Sequence, residues 1–196
     1  MTITFFRPAL VFLLALTCSE IHADSKHSSP QLFGGLPLDI AVKEVRGNGT
    51  RMLASFEDPN CIHCRQLAKE LADVTDVTIY TFLYPILSAS SKTIAEAIWC
   101  SSDRSKAWNA WMISRTVPKA SSCDADAVGK VMALGKSMRV RSVPTIFLAN
   151  GERYTGGKSK FELEMAISSP KVMIFQAAIK SQPNQPDDYI TSRNAD

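Results

Sequence analysis

The chain has 196 residues, 45% of them hydrophobic, which is enough for one domain with a real core and a short appendage. Its net charge is a modest +3, from 22 Lys and Arg against 19 Asp and Glu. The basic residues are scattered rather than striped, so the footprint of a nucleic-acid binder is absent.

The first residues read as a targeting segment rather than as fold. Arg7 supplies a positive start, residues 9–17 (ALVFLLALT) form a short apolar stretch, and Ile21-His22-Ala23 ends in a small residue suited to cleavage before Asp24. The apolar run is too short for a comfortable membrane span. Residues 1–23 are therefore expected to direct export, into the periplasm, and to be removed. Lipidation at Cys18 is the disfavoured alternative, because Ala15-Leu16-Thr17 is a poor lipobox.

Export sets how the cysteines are counted. Four follow the cleavage point: Cys61, Cys64, Cys100 and Cys123. An even number in an oxidising compartment suggests two bridges, with three possible connectivities. Short spacing favours Cys61 with Cys64 and leaves Cys100 for Cys123. A bridge over that loop is worth about 3 kcal/mol by chain entropy.

In chain order, residues 24–33 are polar and read as linker. Leu38, Ala41, Val42 and Val45 follow the i, i+3, i+4, i+7 spacing of a helical face, so residues 36–45 are expected to form a linker helix, stopped by Gly47-Asn48-Gly49. A strand is expected at residues 51–56 and a helix from the Cys-x-x-Cys to about Ala72, with Leu67, Leu71 and Val74 facing the core. Residues 77–83 (VTIYTFL) are rich in β-branched and aromatic side chains and form a second strand, ended by Pro85.

Three helices then follow without a strand. Thr93 with Glu96 reads as a capping box for the first, Asp103 caps the second, and the third begins near Asp124. Cys100 and Cys123 lie at the two ends of this insert, residues 88–138. Trp99, Trp108 and Trp111 sit at helical spacing and read as core, as do Met132 and Met138. Residues 143–149 form a strand entered at Pro144, with a turn at Asn150-Gly151 and a partner strand around Arg153-Tyr154. Ser159 with Glu162 caps a last helix that stops before Pro170, and residues 172–179 can add a short element. The tail from residue 181 is polar and reads as disordered. The expected fold is α/β, thioredoxin-like (βαβ…ββα) with an all-helical insertion, over residues 49–170.

Asn60-Cys61-Ile62-His63-Cys64 carries the chemistry. The first thiol falls at a helix N-terminus, where unpaired N–H groups and the helix dipole stabilise a thiolate. The second sits a turn further on, placed to attack a mixed disulfide at the first. Cys61 is expected to be the exposed nucleophile, with Asn60 as helix cap, and Cys64 the buried resolving thiol. His63 can favour the Cys61 thiolate as donor or cation. Glu57 and Asp58 can each shuttle a proton for Cys64, though the commoner fate of such residues is a surface turn. A zinc half-site is the competing reading, but Cys100 and Cys123 stand 23 positions apart rather than as a second Cys-x-x-Cys. No metal site is expected.

These residues resemble the thioredoxin superfamily, and within it the catalytic domain of the DsbC/DsbG disulfide isomerases. The resemblance rests on Phe56-Glu57-Asp58-Pro59-Asn60-Cys61-Ile62-His63-Cys64, Ala97-Ile98-Trp99-Cys100, Ser122-Cys123-Asp124, Ser142-Val143-Pro144-Thr145 and Ala149-Asn150-Gly151. It implies that Cys61 and Cys64 are the redox centre, with no cofactor beyond their disulfide, and that Cys100–Cys123 is a structural disulfide. It further implies a cis Pro144 beside Cys61, with Val143 and Thr145 receiving an extended client segment. Three features depart from the pattern. Only about 35 residues precede Cys61 after the cleavage point, too few for the isomerases' dimerisation domain, which points to a monomer. The inner dipeptide Ile62-His63 and the residue Val143 both lean toward the oxidase DsbA.

The reading is an exported thiol–disulfide oxidoreductase. It is expected to act as an isomerase or reductase on unfolded or misoxidised exported proteins, and the resemblance implies that a DsbD-like membrane protein keeps it reduced. The alternative is a monomeric dithiol oxidase, and behind it a non-catalytic chaperone or metal carrier.

Overall fold

The computed structural model describes residues 31–119 and 122–181. The targeting segment with Cys18, most of the linker and the tail beyond residue 181 lie outside them. Among the described residues no helix is long and apolar enough to cross a membrane.

A short helix α1 (Gln31–Gly34) and a 3-10 turn (Leu38–Ile40) lead into β1 (Val42–Arg46). The linker helix expected at residues 36–45 is thus replaced by a turn and a strand. The helical spacing of its apolar residues is real, but β3 (Val77–Leu83) has an open edge, and β1 fills it in antiparallel register from Val42–Thr81 to Arg46–Val77. Only Val42 of the two valines is buried; Val45 is 53% exposed, which a core-facing helix would not allow. β1 therefore belongs to the sheet, and the domain begins before residue 49. The turn to β2 (Arg51–Glu57) passes through Gly47 and Gly49, both at positive φ. A Cβ at Gly47 would fall 2.3 Å from Asp76 Oδ1, so this position requires glycine.

β2 pairs in parallel with β3 and antiparallel with β4 (Thr145–Leu148), and β5 (Arg153–Thr155) closes the other edge. The strand order is β1-β3-β2-β4-β5. β2 and β3 are buried almost throughout, as central strands covered on both faces must be. On one face Phe56 stacks on Phe82 at 4.8 Å between centroids and meets Tyr84 and Phe147 edge-on. On the other face lie Ser55, Glu57, Ile79 and Thr81, roofed by α2 (Ile62–Ala72) and α4 (Arg104–Ser114).

The insert comprises α3 (Ala89–Trp99), α4 and α5 (Asp126–Ser137). Asp103 caps α4 through Lys106 N–H, as its sequence position predicts. The cap of α3 is Ser88, which accepts from Ser91 N–H, and Thr93 lies inside the helix. Cys100, at the end of α3, is joined to Cys123 with Cα atoms 5.5 Å apart. Trp99 and Trp108 are buried, while Met132 is exposed rather than packed. Beyond β5 come α6 (Lys160–Ile167), opened by the Ser159–Glu162 capping box, and α7 (Pro170–Lys180). Pro170, read as a stop, is also a start: its missing N–H costs nothing at the first helical position. α7 docks through Gln176, whose side-chain amide donates to Met52 O.

Candidate active site

β2 ends at Glu57, and α2 begins five residues later, so the redox motif sits at the carboxyl end of a central strand. The helix cap is Cys61 itself rather than Asn60. Its backbone is extended and its sulfur accepts the Cys64 N–H at 3.2 Å. The sulfur thereby takes the place of the usual capping oxygen.

That placement decides the acidity of Cys61. Its thiol is lowered from the ordinary 9.0 to about 6, first by the hydrogen bond from the Cys64 thiol, then by the backbone N–H groups of Cys64 and His63. Burial opposes these, and the His63 imidazole contributes least. His63 is exposed, so its charge is screened. Cys61 is only 4% exposed, against an expectation of an open thiol, because the loop carrying Val143 lies across it. The Cys61 thiol meets Val143 O at 3.5 Å, and the Val143–Pro144 peptide is cis. Thr145 is fully buried at the head of β4, and its hydroxyl donates to Ser142 O. Its side chain therefore fixes the loop rather than facing outward.

Cys64 is fully buried, and both cysteines are free thiols in this structure. The Cys64 thiol is raised far above its ordinary value, foremost by burial, then by its bond to Cys61 and the nearby Glu57 charge. The Asp58 N–H, donated to the same sulfur, works the other way.

Glu57 and Asp58 are not surface turn residues; both are buried. Asp58 organises the redox loop, accepting from the N–H groups of Asn60 and Leu87 and from the Ser91 hydroxyl at 2.7 to 2.9 Å. The Asn60 amide in turn donates to Ser90 and Ser91. Two further contacts escaped the sequence reading. Trp111 Nε1 and Arg115 Nη1 converge on Pro59 O at 2.7 and 3.0 Å, so α4 holds the loop from the other side. The signal was a Trp and an Arg four positions apart, one helical turn, which spacing alone cannot distinguish from packing.

Among the described residues no group of three or more His, Cys, Asp or Glu is placed to hold a metal ion. A carboxyl-end dithiol, one thiol acidic at the helix N-terminus beneath the Val143 loop and the other fully buried behind it, has the arrangement that thiol–disulfide exchange requires.

Comparison with known proteins agrees. A family model described as a thioredoxin-like domain matches residues 38–169. A probable thiol:disulfide interchange protein DsbC of Bordetella pertussis is 48% identical over 132 residues, 67% of this chain and 47% of the relative. The thiol:disulfide interchange protein DsbC of Escherichia coli strain K12 is 29% identical over 117 residues, 58% of this chain and 49% of the relative. A crystal structure of a disulfide interchange protein from Neisseria gonorrhoeae superposes with a TM-score of 0.65 at 38% identity, covering 67% of this chain and 96% of that one. The chain belongs to the thioredoxin-like family, in the branch of the disulfide interchange proteins. It spans about half the length of the curated relatives it matches.

Proposed function

We propose that this chain catalyses thiol–disulfide interchange on exported proteins, with Cys61 as nucleophile and Cys64 as resolving thiol, in the manner of a DsbC-like isomerase or reductase. The observation that carries the reading is the Cys61 sulfur capping α2, with its thiol lowered to about 6 and Cys64 held behind it. At neutral pH Cys61 is a thiolate. It attacks one sulfur of a client disulfide, forming a Cys61–client mixed disulfide and releasing the second client sulfur as a thiolate. That client thiolate returns on a different bond, which is isomerisation, or Cys64 displaces the client, which is reduction.

The client segment lies in extended form against the loop of Val143 and Pro144, offered the Val143 backbone, while Thr145 secures that loop from within. Ile62, next to Cys61, and Leu87, whose N–H bonds Asp58 of the redox loop, are both well exposed and suit the apolar residues an unfolded client displays. The Cys100–Cys123 disulfide fits an oxidising compartment such as the periplasm, where a membrane thiol reductant of the DsbD type regenerates the dithiol.

A second reading, a dithiol oxidase, draws on the same acidic Cys61, since a stabilised thiolate makes the disulfide a better oxidant. The reduction potential separates the two: about −120 mV for an oxidase, about −200 mV or below for an isomerase or reductase. The proposal itself is tested by trapping. Cys64→Ala is expected to accumulate a covalent adduct with a disulfide-bonded client, and Cys61→Ala to form none. An adduct on Cys64 instead, or on neither, would overturn it.

A further inference from the structure

Three arginines stand around the redox motif, and the exchange chemistry above uses none of them. Arg141 is exposed two positions before Val143, whose carbonyl oxygen lies 3.5 Å from the Cys61 sulfur. Arg115 is half-buried over the Trp111 ring and donates from Nη1 to Pro59 O, two positions before Cys61. Most of its fork of donors is left over. Arg65 is also half-buried, its backbone N–H bonded to Cys61 O, and its Nε is buried with no hydrogen-bond partner. Arg65 shares a helix face with Ala68, which lines a small cavity together with Trp108 of α4. From Trp108 beside Ala68, α4 runs on to Arg115 beside Pro59, so Arg65 faces the end of α4 that carries Trp111 and Arg115.

These guanidinium groups have no carboxylate to answer them. The ion pairs among the described residues are Arg46–Glu44, Arg51–Glu164, Lys92–Glu96, Lys130–Asp126 and Lys158–Glu162, and none includes Arg65, Arg115 or Arg141. The two acids that precede the motif, Glu57 and Asp58, are both buried. Burial pushes Glu57 up to about 8, so it is largely neutral at pH 7. Asp58 is turned inward onto the N–H groups of Asn60 and Leu87 and the Ser91 hydroxyl. On the α6 side Glu162 is taken by Lys158 and by its own capping box with Ser159. A segment bound across Cys61 therefore meets arginines whose acceptors it must itself supply.

We infer that Arg65, Arg115 and Arg141 form a cationic rim that selects client disulfides flanked by Asp or Glu. The inference rests on the exchange reading above and names the substrate class of that same site. Guanidinium suits the role because its planar fork pairs bidentately with a carboxylate, and a buried Nε without an acceptor gains from receiving one. The chemical step gains as well. The Cys61 thiolate attacks one client sulfur, a Cys61–client bond forms as the client disulfide breaks, and the electron pair leaves on the second client sulfur as a thiolate. Negative charge thus moves outward, from Cys61 beneath the Val143 loop to a client sulfur at the rim. In water, acidic neighbours oppose a thiolate on that sulfur; pairing them with the rim removes the opposition.

The test uses two disulfide-linked peptides, identical except that Glu or Lys flanks each Cys. Quenched-flow reaction with the reduced protein at pH 7 gives a second-order rate for each from the peptide released. Each rate is divided by that with mercaptoethanol, a neutral thiol, at the same salt, which removes intrinsic reactivity. The native protein should favour the Glu peptide by about 10-fold or more at ~10 mM salt. The preference should shrink to about 2-fold or less at ~1 M, where screening acts within about 3 Å. Arg65→Gln, Arg115→Gln and Arg141→Gln should each lower it by roughly 2- to 3-fold, and Arg141→Lys, which keeps the charge, should retain most of it. A native ratio near one at low salt, or a preference for the Lys peptide, would overturn the inference. Equal losses on both peptides in the Gln variants would assign the arginines to the fold alone and overturn it too. If the native protein released peptide from neither disulfide, the exchange reading itself would fall.

Discussion

The Cys61 thiol meets the carbonyl oxygen of Val143 at 3.5 Å, across 82 positions of sequence. This contact depends on protonation. With Cys61 lowered to about 6, the donor is lost at neutral pH and the Val143 carbonyl is left to accept from another group. An extended client segment supplies one in its backbone N–H. A peptide with Ser in place of its reactive Cys should therefore bind the reduced protein more tightly at pH 7.5 than at pH 5, by roughly 2- to 10-fold, the worth of one net hydrogen bond. Calorimetric titration reads this, and Cys61→Ala should abolish the pH dependence.

Burial of Glu57 makes stability fall with rising pH. In the folded protein it holds its proton to about 8, in the unfolded chain only to about 4.5, so between those values folding carries one extra proton. The stabilisation is complete below 4.5 and is lost as pH climbs through 8. Glu57→Gln should remove a loss of roughly 3–5 kcal/mol over that window, at about 1.4 kcal/mol per unit. Urea unfolding of the disulfide form, where neither thiol titrates and burial remains as the chief cause of the rise, should show the variant more stable than the parent at pH 8.5 and close to it at pH 4.

The convergence of Trp111 and Arg115 on Pro59 O predicts a non-additive pair. Either donor alone satisfies the carbonyl, so Trp111→Phe and Arg115→Met should each cost about 1 kcal/mol or less through this contact. The double variant leaves a buried carbonyl unpaired, worth about 1–3 kcal/mol. A double-mutant cycle by urea unfolding measures the coupling. Simple additivity would mean the two donors act independently.

Much of the fold was legible because single residues dictate it. The β-branched run at Val77–Leu83 can be little other than a central strand, and Ser159 with Glu162 marks a helix start at its true position. β1 reads locally as helix because Leu38, Ala41, Val42 and Val45 satisfy the helical period; what decides them is the open edge of β3, whose pairing residues lie 31 to 39 positions further along the chain. Cys61 and Cys64 announce themselves by spacing. The burial of Glu57 does not, since a carboxylate before a turn is ordinarily at the surface. It takes α4, brought over from the insert to lie beside α2, to cover Glu57. Likewise the cap on α2 falls to a sulfur where local preference nominates Asn60.

The central claim is that the first thiol of the motif is an activated nucleophile, and the most direct measurement is the rate of Cys61 alkylation by iodoacetamide against pH. Cys64 is buried and strongly disfavours its thiolate, so the reaction reports Cys61. The account predicts an inflection near pH 6. A rate that rises only near pH 9, where an ordinary thiol ionises, would contradict it.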